Sequence, residues 1–186
     1  MRLLSNAFLA ATLIGVVPAA ALAQSAPTMV IVVRHAEKGT TPASDPPLTE
    51  AGTTRAKALA AALTDANLQA VITTQLLRTK DTARPTADAR GLTMETVQVS
   101  GAVADHAKAV ADAVRKHVGQ TILVVGHSNT VTQIIAALGG PKMPDLCDSQ
   151  YSNLYTLVLD GASARMVQSS YGAASPEVAT GCPAMK

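Results

Sequence analysis

Four consecutive β-branched residues, Val30-Ile31-Val32-Val33, are followed at once by Arg34-His35-Ala36-Glu37-Lys38. A strand with one wet face alternates apolar and polar residues. An unbroken Val/Ile run is instead buried on both faces, as in a parallel sheet covered by helices on either side. Such sheets bind ligands just beyond the carboxyl ends of their strands. A guanidinium beside an imidazole at that point suits phosphate chemistry, because arginine forks match phosphate oxygens.

The rest of the chain is patterned to build that sheet. Strand-like segments fall at 29–33, 69–73, 93–99, 121–125, 153–159 and 163–168, and helix-like segments at about 49–64, 76–90, 103–117 and 129–138. This alternation predicts an α/β fold, a three-layer α/β/α sandwich with a mostly parallel central sheet. Val103, Ala107, Val110, Val114 and Val118 form one apolar stripe at helical period, with Gly119 as the stop signal. Thr49, after the Pro46-Pro47 turn, is placed to cap the first helix. Residues 39–47 and 139–150 read as loops, and 169–186 as an irregular surface tail.

The amino terminus reads as a targeting segment. Arg2 precedes an apolar run from Ala7 to Ala23, and Ala21-Leu22-Ala23 supplies a small-x-small cleavage pattern. The expectation is a signal peptide over 1–23, cleaved after Ala23, with a single domain over 24–186 that is periplasmic or secreted and has no membrane span of its own. Phe8 lies in that segment, so the remaining chain has no Phe or Trp and only Tyr151, Tyr155 and Tyr171. Its core must therefore come from Ala, Val, Leu and Ile, and it lacks the aromatic platform on which bases stack. With 15 basic and 13 acidic residues, no field recruits nucleic acid. In an oxidising compartment Cys147 and Cys182 are expected to form a disulfide, worth roughly 3–4 kcal/mol on the loop-entropy model.

Three predicted strand ends carry polar residues: Arg34-His35, then Thr73-Thr74-Gln75-Leu76-Leu77-Arg78, then Gly126-His127-Ser128-Asn129. Each is a β-to-α turn, so all three can converge on one edge of the sheet. Two arginines and two histidines there make a pocket for a tetrahedral oxyanion. A helix starting near Asn129 could add N–H donors at its positive end.

The matching segments are Arg34-His35, Leu48-Thr49-Glu50-Ala51-Gly52, Thr74-x-Leu76-x-Arg78-x-x-x-Thr82-Ala83 and Gly126-His127-Ser128. In order and spacing, over about residues 29–160, they resemble the histidine phosphatase superfamily, also called phosphoglycerate mutase-like. The Arg-His-Ala-Glu-Lys version resembles its small secreted bacterial members. Ala36 stands where glycine is usual, Arg55 where glutamine is common and Thr74 where serine is common. The resemblance implies an exported phosphomonoesterase in which His35 is the nucleophile and a transient phosphohistidine forms. It implies that Arg34, Arg78 and His127 bind the phosphoryl group. It implies no cofactor and no metal, since the arginines carry the charge.

The resemblance also implies a carboxylate donating a proton to the leaving group. Asp105, early in the helix at 103–117, is the candidate, and Glu37 is its rival; Asp105 could equally be a helix N-terminal acid. Glu37, Lys38, Ser128 and Asn129 are possible substrate contacts, with capping of the helix at 129–138 as the alternative for Ser128 and Asn129. His106 reads as a surface neighbour, and His117 as surface decoration near a helix end. Candidate substrates are a phosphorylated small molecule, a glycolipid sugar or a phosphopeptide.

Other readings are weaker. The Gly126-His127-Ser128 step resembles a serine-nucleophile elbow, but Thr130 stands where glycine belongs and no histidine follows Ser128. The four histidines lack a metal-ligand spacing. A non-catalytic phosphate- or phosphosugar-binding module on the same fold is the alternative. A phosphoglycerate mutase-type phosphotransferase is disfavoured, because Thr93 to Val103 is too short to build a cap that excludes water.

Overall fold

Residues 26–176 are described by the computed structural model. The expected signal peptide over 1–23, and Cys182 with its expected pairing to Cys147, lie outside the described residues.

The elements run β1 (Thr28–Arg34), α1 (Glu50–Ala62), β2 (Ala70–Thr73), α2 (Leu77–Asp88), β3 (Met94–Thr96), α3 (Val103–Val114), β4 (Thr121–Gly126), α4 (Val131–Ala137), β5 (Asn153–Asp160) and β6 (Ser163–Ser170). They make one six-stranded sheet in the order β3-β2-β4-β1-β5-β6. The β3-β2-β4-β1 part is parallel, whereas β5 and β6 add antiparallel.

Strand pleating sorts the aliphatic run into two cores. Val30, Val32, Ile72, Ile122 and Val124 face α3 and α4, meeting Val110, Val114, Ile134 and Ile135. Ile31, Val33, Val71, Leu123 and Val125 face α1 and α2, meeting Leu59, Leu63, Ala83 and Ala87. The Val30–Val33 run is therefore buried on both faces, as its composition predicts. Thr49 caps α1 by accepting from the Gly52 N–H at 3.1 Å.

Four expectations are corrected. β3 is only three residues long. Beyond it Val97 N–H still donates to the Thr73 carbonyl, and then the Gln75 side chain brackets Val99, its Oε1 accepting the Val99 N–H at 2.8 Å and its Nε2 donating to the Val99 carbonyl at 3.3 Å. Helix α3 stops at Val114, and Gly119, at φ +76°, instead serves the turn into β4. Helix α4 starts at Val131 rather than 129, because the Thr130 hydroxyl accepts the His127 N–H at 2.8 Å and holds residues 127–130 as a turn. The stretch after 168 is not a loose tail as far as it is described. β6 continues to Ser170, Tyr171 is buried against the α1/α2 core, and the Ser175 hydroxyl accepts the N–H groups of Tyr151 and Ser152 at 2.9 Å each. In a chain short of aromatics, Tyr171 fills space that a phenylalanine would otherwise take.

Candidate active site

Parallel pairing of β1 with β4 is what brings two of the motifs together. Their register runs to Arg34 opposite Gly126, and His35 N–H then donates to the Gly126 carbonyl at 2.9 Å. Both chains leave the sheet at the same level. The His35 and His127 rings consequently meet edge to face with centroids 5.3 Å apart.

His35 is 1% exposed. Its Nδ1 lies 2.8 Å from the Ala36 carbonyl oxygen. A carbonyl only accepts, so in the neutral ring Nδ1 carries the hydrogen and Nε2 keeps the lone pair. The Ala36 N–H in turn donates to Thr82 Oγ1 of α2 at 2.9 Å, and that hydroxyl donates to the Arg78 carbonyl at 2.6 Å. One threonine thus ties the peptide after the histidine to the helix carrying the second arginine. Burial pushes the His35 pKa well below its ordinary value, and His127, Arg34 and Arg78 act in the same direction against the Ala36 carbonyl. The ring is held neutral.

Around it stand the three expected partners. His127 Nε2 is 3.3 Å from Thr74 Oγ1. Its pKa is pushed down to about 3 by burial first and then by Arg78, His106 and Arg34. Arg78, on the first turn of α2, lies 3.7 Å from the Asp45 carboxylate. Asp45 also accepts the Leu77 N–H, at 3.0 and 3.1 Å to its two oxygens, and so caps a helix whose own N-cap residue, Leu76, has no side chain for the task. Arg34 has a second duty beyond the phosphate role expected of it. It donates from one nitrogen to the carbonyls of Cys147 (2.8 Å), Asp148 (3.1 Å) and Gln150 (3.4 Å), and its guanidinium lies 4.2 Å from the Tyr151 ring centroid. The arginine pins the 147–151 segment beside the strand end.

Arg34 Nε, Arg78 Nε, His127 Nδ1 and Ser128 Oγ are buried with no protein partner. Buried polar atoms are rarely left so. All four belong to residues of the converging turns, and together they supply hydrogen-bonding groups of the kind a tetrahedral oxyanion accepts from.

Other expected residues fare differently. Glu37 is committed elsewhere: its carboxylate takes Arg55 Nε at 3.0 Å to each oxygen and Arg55 Nη2 at 2.8 Å. Burial acts to raise its pKa, but the hydrogen bonds and charge of Arg55 outweigh it and hold Glu37 below the ordinary carboxylate range. A carboxylate so held is a poor proton donor and is withdrawn from substrate. Arg55 also donates to the carbonyls of Tyr171 and Ala173, so the residue standing in place of glutamine organises an ion pair and the segment that follows β6. Asp105 is exposed, its carboxylate beside Gly101, and the inward residue of that turn is His106, which is 1% exposed rather than at the surface. His117 pairs with Glu95 at 3.1 Å on the surface.

Lys38 forms a backbone bridge with Leu48 that closes the 39–47 loop. Helix α4 does not extend its N-terminus to substrate: the Thr130 and Val131 N–H groups both donate to the His127 carbonyl. Ser128 and Asn129 lie within that turn and do not cap the helix. Sequence reasoning missed Thr82 as a positioning group, Asp45 and Thr130. Thr82 was visible inside a quoted motif, and Asp45 as the one acid in the 39–47 loop. Thr130 carried no signal of its own.

Comparisons with known proteins agree with this geometry. The family model described as histidine phosphatase superfamily (branch 1) matches residues 30–99, which contain His35, Arg34 and Arg78. Among solved structures the chain is similar to the protein histidine phosphatase SixA complexed with tungstate, at 22% identity and TM-score 0.62, covering 76% of this chain and 96% of that one. It is similar to YhfR of Bacillus stearothermophilus, at 19% identity and TM-score 0.60, covering 74% and 94%. It is also similar to a mycobacterial glucosyl-3-phosphoglycerate phosphatase complexed with VO3, at 18% identity and TM-score 0.57, covering 78% and 99%. No curated protein sequence matches the chain significantly. These likenesses establish the fold, and the histidine phosphatase family match covers the segment that carries Arg34, His35 and Arg78.

Proposed function

We propose that this protein hydrolyses phosphate monoesters through a phosphohistidine on His35. The observation that carries the proposal is the tautomer lock at 2.8 Å from Nδ1 to the Ala36 carbonyl. It leaves a neutral Nε2 lone pair beside two arginines and a second histidine. In the first step that pair forms the N–P bond while the P–O ester bond breaks and the leaving oxygen takes a proton. In the second, water attacks phosphorus, gives up a proton, and the N–P electrons return to His35 Nε2. Arg34 and Arg78 neutralise the equatorial oxygens, with His127 as a further donor. Two fixed guanidiniums supply the charge that a metal provides elsewhere, so activity is expected to survive a chelator.

Only residues 97–102 connect β3 to α3. A connection that short adds no cap, which favours water over a second substrate as acceptor. Two of the similar solved structures are a protein histidine phosphatase and a glucosyl-3-phosphoglycerate phosphatase. The substrate class proposed for this protein is a phosphorylated small molecule, glycolipid sugar or phosphopeptide. The amino-terminal pattern supports export, and an oxidising compartment would favour the Cys147–Cys182 bridge.

The test is steady-state hydrolysis of p-nitrophenyl phosphate in chelator, with His35→Ala as control. Turnover that the substitution abolishes is expected. Equal turnover by the variant, or none by the native protein across aryl, sugar and protein phosphates, contradicts the proposal.

A further inference from the structure

His35 is buried, and in-line attack on phosphorus leaves the departing oxygen on the far side, toward solvent. Whatever lines the way out therefore meets the leaving group. Arg34 spends Nη1 on the carbonyls of Cys147, Asp148 and Gln150, and its Nε is buried without a protein partner. Its Nη2 is met by the Asp148 carboxylate and by the Tyr151 hydroxyl, at 3.5 Å each. The Tyr151 ring lies over the guanidinium, with its centroid 6.4 Å from that of His35, so the 148–151 segment is a wall of the pocket. Arg78 is arranged alike: its Nε is buried and unpartnered, and its Nη1 lies 3.7 Å from the Asp45 carboxylate.

Both carboxylates reach the surface while the guanidiniums they meet do not. The Asp148 side chain is 60% exposed and that of Asp45 31%, against 2% for Arg34 and 17% for Arg78. Each arginine thus has a dry, unpartnered nitrogen and an outer one beside a carboxylate. The dry nitrogens, with His127 Nδ1 and Ser128 Oγ, suit phosphoryl oxygens. Like charge keeps the phosphoryl group off the carboxylates, which stay at the mouth where the alcohol part of the ester sits. Stability does not account for Asp148. Its side chain makes no hydrogen bond among the described residues, and an ion pair with so exposed a carboxylate adds little. Asp45 has a structural duty as well, as the cap of α2.

We propose that Asp45 and Asp148 select the leaving group by charge, admitting esters whose alcohol part is cationic or neutral and repelling those that carry a carboxylate or a second phosphate. The role rests on the phosphomonoesterase reading above. It narrows the substrate class to phosphate esters of amino alcohols, amino sugars or neutral sugars, and it disfavours phosphoglycerates and acidic phosphopeptides. The alcohol part of a small ester comes within the screening length of both charges, about 8 Å at physiological ionic strength. The selection is therefore felt without direct contact, and it weakens as salt is raised.

Competition reads the selection. O-phosphoethanolamine, propyl phosphate and phosphoglycolate are similar in size but place an ammonium, a methyl and a carboxylate at nearly the same distance from phosphorus. Each is added as a competitor of p-nitrophenyl phosphate hydrolysis by the native protein, Asp148→Asn, Asp45→Asn and Asp148→Lys. For the native protein, inhibition constants are expected to rise in that order, with a spread on the order of 10-fold at low salt that shrinks at about 1 M salt. Asp148→Asn should narrow the spread by about 3-fold, and Asp148→Lys should reverse the order. Asp45→Asn, which keeps an oxygen for the Leu77 N–H, should narrow it as Asp148→Asn does. The same spread in the native protein and both Asn variants overturns the proposal, as does tightest native inhibition by phosphoglycolate, equal inhibition by all three esters, or inhibition by none. In each of those cases hydrolysis of p-nitrophenyl phosphate continues and the phosphomonoesterase reading stands. If the native protein hydrolyses no p-nitrophenyl phosphate, that reading fails and this one falls with it.

Discussion

Thr82 shows how a residue that never meets substrate can govern the chemistry. Its hydroxyl holds the Ala36 N–H at 2.9 Å, and the Ala36 carbonyl holds His35 Nδ1 at 2.8 Å. A chain of two hydrogen bonds therefore runs from α2 to His35, the proposed nucleophile. Thr82→Val keeps the shape of the side chain and deletes the acceptor. The expected result is a fall in kcat on the order of 10- to 100-fold, as for a displaced nucleophile, with KM nearly unchanged. A variant with native kcat would remove Thr82 from the account. At the same scale, Glu37 and Arg55 were read separately from the sequence, one as a candidate acid and one as a departure from glutamine. Their meaning lies in the pair they form across 18 residues, which no spacing rule reveals.

Helix α1 owes its position to a glycine. A Cβ on Gly52 would collide with the backbone carbonyl of Glu37, two residues after His35. The Leu48-Thr49-Glu50-Ala51-Gly52 motif is thus a helix start that caps itself at Thr49 and lies directly on the backbone behind His35. Gly52→Ala favours helix by intrinsic propensity, by about 1 kcal/mol, so an isolated-helix view expects stabilisation. The close approach predicts the reverse: a lower Tm together with reduced activity, read by thermal melts and steady-state kinetics. A raised Tm would contradict the packing.

At this scale most of the fold was legible. The six strands and four helices appear in the order that the Val/Ile runs and the apolar stripe of α3 announced. Their ends were less so, because tertiary hydrogen bonds set them. Gln75 ends the sheet pairing of β3, and Thr130 delays α4 by holding the His127 N–H. His106 was misread for a related reason: the residue sits on the inward side of a first turn whose orientation depends on how the preceding loop is fastened.

Across the whole molecule, two buried histidines are kept neutral beside two arginines, and this has a thermodynamic signature. His127 has a pKa of about 3 in the folded chain against an ordinary 6.5, and His35 is shifted in the same direction. Between those values the unfolded chain binds protons that the folded chain does not. Stability is therefore full above about pH 6.5 and is lost as pH falls toward 3. Lowering pH from about 7.5 to about 5, a range above the carboxylate pKa values, should already reduce Tm. His127→Asn should reduce that dependence, and an unchanged slope would contradict the burial of a neutral ring.

The parallel β1–β4 pairing that buries these rings is also what assembles the site, and the sheet is built from aliphatic strands that could be read one by one. The central claim is that His35 becomes phosphorylated. Acid-free quenching during turnover, followed by peptide mass spectrometry, reads it directly. One phosphoryl group on the peptide bearing His35, labile to acid and absent from His35→Ala, is predicted; turnover with no modified His35, or with phosphate on another residue, contradicts the account.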